Sequence, residues 1–98
     1  MTRFQLRLPP YFDDYAAEIE AKGYFADVIV EADGRQYRPV FYDPARLAQE
    51  IRDELDREGV FAEDDLVIVD AVTRETIEAA VAKLAGKGFR TLKATTNL

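Results

Sequence analysis

Residues 32–47, ADGRQYRPVFYDPARL, carry a turn signal, a strand interrupted by proline and a helix start in one short run. Asp33-Gly34 is the strongest hairpin signal in the chain, because a type I′ turn needs positive φ at both central positions and this pair tolerates it. In the strand that follows, alternation points Tyr37, Pro39 and Phe41 one way and Arg38, Val40 and Tyr42 the other. Pro39 has no N–H to give to a ladder, so this strand belongs at an edge, at a bulge, or where that N–H would face solvent. An edge strand is the expectation. Asp43-Pro44 then opens a helix: the carboxylate can accept from free N–H groups one turn on, and proline suits the first helical position.

Working outward, residues 25–32 are rich in branched side chains and read as the first strand of the hairpin. Before them, Phe12, Tyr15, Ala16 and Ile19 recur at helical spacing, and Gly23 ends that helix. Residues 3–8 alternate Phe4, Leu6 and Leu8 with polar neighbours, a half-buried strand closed by Pro9 and Pro10. Downstream, the helix begun at Asp43 runs to about Glu58, burying Leu47, Ala48, Ile51 and Leu55, with Gly59 as its left-handed terminator. Residues 66–72, LVIVDAV, are apolar on both faces apart from Asp70, which predicts a strand flanked by parallel neighbours. Thr73 caps a helix whose apolar residues are Ile77, Ala80, Val81 and Leu84. FRTLK, residues 89–93, reads as a last strand, and residues 94–98 as a frayed tail.

The order is therefore β-α-β-β-α-β-α-β. It predicts an α/β (α+β) fold, a two-layer sandwich with one mixed sheet of four to five strands and three helices, in a single domain over residues 1–98. The order begins like the split βαβ, or ferredoxin-like, arrangement. That arrangement would put Pro39 in an interior strand, so the strand order stays open.

Composition narrows the function. No apolar run approaches the roughly 18–20 residues that span a bilayer, and the first ten residues alternate instead of forming an apolar block, so a cytoplasmic protein without a membrane partner is expected. The net charge of −6 argues against nucleic acid, whose binders carry a basic face. Charge is also segregated: residues 43–70 hold ten acids against three arginines, and after Asp70 the sign reverses. The chain has no His, Cys or Ser, which removes serine and cysteine triads, imidazole bases and the usual zinc sites.

Few chemical candidates remain. Asp70 stands near the carboxyl end of an apolar strand and Thr73 at the following helix start, where free N–H groups could hold a ligand or anion, with Lys93 as a further participant. Residues 65–72 and the helix after them are similar to the phosphoacceptor strand of response-regulator receiver domains. The acidic pair that those domains carry after their first strand is missing, and no function is taken from the likeness. Glu63, Asp64 and Asp65 are consecutive and read as a solvated turn, not a cation site. The hairpin offers Tyr37, Arg38 and Tyr42, residue types that dominate interface energetics. The expectation is a non-catalytic protein-interaction module without metal or cofactor, binding a protein partner or itself. One specific form is an acidic inhibitor or immunity-type protein. The alternative is a small ligand- or anion-binding domain or enzyme built around Asp70 and Thr73.

Overall fold

The computed structural model describes residues 3–97. In chain order it contains β1 (Gln5–Arg7), a 3-10 turn (Asp13–Tyr15), α1 (Ala16–Lys22), β2 (Tyr24–Phe25), β3 (Ile29–Ala32), β4 (Arg35–Tyr37), β5 (Val40–Tyr42), α2 (Pro44–Glu58), β6 (Leu66–Ile68), α3 (Arg74–Gly86) and β7 (Ala94–Asn97). The architecture is an α/β sandwich, with two sheets in place of the single mixed sheet expected. One sheet runs β1-β3-β4-β7 and the other β2-β5-β6.

The hairpin explains the division. Asp33 and Gly34 take φ values of 52° and 72°, as a type I′ turn requires, and β3 pairs with β4 across them. Farther from the turn, the same two chain segments pair again as β2 with β5, in the other sheet. Val30 faces Tyr37 in the first ladder and Tyr24 faces Tyr42 in the second, so the register slips by one residue between them. Residues 26–28 on one strand thus stand against Arg38 and Pro39 on the other. An extra residue of this kind bends a ribbon and raises its twist. Pro39 lies in that interruption, where no ladder bond is asked of it, and its side chain is fully buried. The expected edge strand is corrected accordingly: β4 lies between β3 and β7, and β5 between β2 and β6.

One core joins both sheets to α1 and α3. Phe12, Val28, Val30 and Phe41 meet Ile77 and Val81 there. Phe89 and Leu92 complete it from the turn after α3, where Phe89 has φ 56° and stacks on Tyr37 with ring centroids 5.1 Å apart. Residues 89–93 are therefore a tight turn, not the last strand. The last strand is β7, which pairs antiparallel with β4 and takes up residues expected as a tail; Leu98 lies outside the described residues.

Helix α2 starts as its sequence dictates, with Asp43 Oδ1 accepting from the Arg46 N–H at 2.7 Å and Pro44 in the first turn. Gly59 ends it at φ 76°. The expected burial of Leu47, Ala48, Ile51 and Leu55 is only partial: Leu47 and Ile51 are half-buried, while Ala48 and Leu55 are exposed. The core takes the opposite face of the smaller sheet, through Phe25, Phe41 and Val67. That leaves α2 against the outer face, where the Arg46 guanidinium lies 5.9 Å from the Tyr24 ring centre. Arg46 Nε is buried without a hydrogen-bond partner.

Candidate functional site

The three hairpin residues do not form a patch. Tyr37 is 5% exposed and Tyr42 3%, and both are packed in place. Tyr37 is held by Phe89. Tyr42 lies against Tyr24 at 5.0 Å and donates to Glu63 Oε2 at 3.1 Å. Burial pushes its phenol well above the ordinary range, and the Glu63 carboxylate adds to the shift. Only Arg38 is exposed, at the bend of the ribbon, where it borders a shallow cleft with Arg7 and Asp27. Of the side chains expected to meet a partner, Tyr37 thus belongs to the core and Tyr42 is buried against Tyr24.

Asp70 and Thr73 are close in sequence but line different clefts. Thr73 borders one with Phe12, Asp13 and Arg74. Its hydroxyl accepts from the Thr76 N–H at 3.2 Å, while its own N–H donates to Thr76 Oγ1 at 3.0 Å. This reciprocal capping box occupies donors that an anion at the helix start would use. Lys93 is drawn elsewhere, its main-chain N–H donating to Asp65 Oδ1 at 2.7 Å.

Asp70 belongs instead to the margin of β6, which sequence reasoning misjudged. β6 pairs in parallel with β5, and no strand pairs with its other side among the described residues. The Val40 N–H donates to the Asp65 carbonyl and the Val69 N–H to the Tyr42 carbonyl, both at about 3 Å. Odd-numbered residues thus face β5, and the ladder's alternation turns the main-chain groups of Leu66 and Ile68 to the open side. Ile68 is 46% exposed. At the carboxyl end of this edge lies a groove of about 380 Å³, with Ile68, Val69 and Asp70 on one wall and Thr76, Ala79 and Lys83 of α3 on the other. Glu63, Asp64 and Asp65 precede the strand and Asp70 follows it, so carboxylates stand at both ends of an uncharged edge. The double-sided apolar run suggested an interior strand; the acids bracketing it were the signal of an edge.

Among the described residues, no group of three or more acids could hold a metal ion, and no helix is long and apolar enough to cross a membrane. The chain matches no family model, no curated protein and no solved structure.

Proposed function

We propose that the protein is a non-catalytic interaction module that takes a basic, extended segment of a partner protein onto the open edge of β6. The observation that carries this reading is the edge itself: outward main-chain groups at Leu66 and Ile68, an adjoining groove, and acids at both ends. Strand addition draws affinity from main-chain hydrogen bonds and selectivity from the side chains beside them. Here the selective element is negative charge, which favours lysine or arginine at the ends of the added strand. Inhibition of a basic enzyme is one specific form of this function. The absence of Ser, Cys and His supports the non-catalytic part.

Self-pairing of β6 is disfavoured by the same charges. Outward groups meet about a twofold axis when Leu66 of one copy opposes Ile68 of the other. In that antiparallel register Asp64 opposes Asp70 at both ends, and like charges directly opposite destabilise a pair.

The test uses a synthetic peptide of alternating valine and threonine with lysine at each end, and a counterpart with glutamate at each end. Amide hydrogen exchange reads the edge residue by residue. The lysine-ended peptide should slow exchange at Leu66 and Ile68, and Asp64→Lys with Asp70→Lys should abolish the effect. Equal protection by both peptides, or none by either, refutes the reading.

A further inference from the structure

A second feature lies at the opposite edge of the smaller sheet. Between α1 and β2 is a cleft of about 340 Å³, within the range of small-molecule sites. Tyr11 and Tyr15 form its walls, 41% and 56% exposed, and the largely buried Phe25 lies deeper. The Tyr11 ring stands 6.2 Å from Tyr15 at 70° and 6.4 Å from Phe25 at 68°, so its two aromatic neighbours both stand steeply to it and form a corner. Asp27 and Glu18 border the same space. Tyr11 donates to Asp27 Oδ2 at 2.5 Å, which fixes the ring while leaving the carboxylate's charge in place. That hydrogen bond also raises the phenol's pKa, so the ring stays neutral at physiological pH.

We propose that this cleft binds a trimethylammonium group. Aromatic faces attract cations through the ring quadrupole, and recognition of quaternary ammonium groups is the established use of such cages. Glu18 and Asp27 set against Lys22 leave one uncompensated negative charge, which suits a monovalent ligand. A hard metal ion would need six or more oxygen ligands, and a primary ammonium surrenders a stronger hydration shell. The protein already seats its own cations on rings: Arg46 on Tyr24, and Arg74 at 5.5 Å from the centre of Phe12. The exposed tyrosines of the cleft have no such occupant among the described residues.

The probes are choline and its uncharged isostere 3,3-dimethylbutan-1-ol, titrated while the ring signals of Tyr11, Tyr15 and Phe25 are followed by NMR. Choline should shift these signals saturably, and the neutral alcohol should bind roughly tenfold more weakly. Tyr15→Ala, at an exposed position that the core does not use, should weaken choline binding about threefold or more. Asp64→Lys, at the other edge of the sheet, should leave it unchanged, which separates this proposal from the β6 reading. A peptide bearing trimethyllysine, compared with its unmodified form, identifies the source: competition with choline points to a modified protein side chain, and failure to compete points to a free metabolite. Equal binding of choline and the alcohol, an unchanged affinity in Tyr15→Ala, or no saturable shift overturns the proposal.

Discussion

Replacing Gly23 by alanine should destabilise the protein through a neighbour twenty positions away. Gly23 ends α1 in the left-handed region, at φ 69°, and its carbonyl accepts from the Asp43 N–H at 2.9 Å. A Cβ added there would lie 2.6 Å from Asp43 Cγ and collide with the carboxylate. That carboxylate is the cap of α2. Forcing an alanine into the left-handed region costs about 1–2 kcal/mol. Displacing the cap costs about 1 kcal/mol more, and the lower freedom of alanine in the unfolded chain returns about 0.4–1 kcal/mol. The net loss is about 2 kcal/mol, a fall of roughly 8–16 °C in Tm for a domain of this size. Asp43→Ala alone should cost about 1 kcal/mol. In its background the collision is gone and Gly23→Ala should cost only about 1 kcal/mol, the residual of the backbone strain. Urea unfolding of the four proteins in the cycle measures this. Coupling of about 1 kcal/mol supports the account, and costs that add within about 0.5 kcal/mol refute it.

Three further outcomes are expected. Thr76→Val keeps the volume but removes the oxygen that closes the capping box and donates to the Ala71 carbonyl at 2.5 Å; a loss of about 1–2 kcal/mol should appear in urea melts, and a loss below about 0.3 kcal/mol would refute the assigned roles. Tyr42 has a pKa raised in the folded state, so the stability it contributes is complete below the unfolded value of about 10 and is lost as pH rises above it. Melts from pH 8 to 11.5 should therefore fall less steeply for Tyr42→Phe than for the wild type, and parallel curves would contradict the burial argument. Asp70→Lys turns the repulsive twofold register of β6 into an attractive one, so light scattering should find a monomeric wild type and a variant shifted towards dimer; a wild-type dimer would refute the guarding role of the acids.

Local structure was legible wherever one residue type answers one backbone demand. Asp33-Gly34, Asp43-Pro44, Gly59 and Thr73 each appear in the conformation or cap their chemistry predicts. The long-range partition was not legible. Residues 25–32, rich in branched side chains, and 35–42, which alternate, each read as one strand, yet each is divided between two sheets. The slip between ladders depends on a residue count on both strands of the ribbon, and Pro39 announced only that some irregularity was needed. The burial of the hairpin tyrosines was not legible for a related reason. Tyr37 and Tyr42 are amphipathic and suit surface or core, and the choice was made by Phe89, Tyr24 and Glu63, which reach them from distant parts of the chain. Phe89 itself reads as strand in the sequence, since a positive φ at an aromatic residue is not a pattern that sequence advertises.

The bend in the ribbon bears on the proposed function. By sending β2 and β5 into a separate sheet, it leaves that sheet only three strands wide, with β6 outermost. Edges that serve only for protection often carry a charge on the strand or twist away from the plane. β6 carries no charge at Leu66, Val67 or Ile68, and the acids stand beyond its two ends. Such spacing leaves the centre of the edge able to accept a strand and makes the outcome depend on what flanks the incoming residues. On the proposed reading, a second copy would bring acids and be repelled, and a basic segment would bring the opposite sign and be drawn in. Specificity is a difference between affinities, and the proposed discrimination needs only those end charges, which is why reversing Asp70 should change the choice of partner without disturbing the β5–β6 ladder.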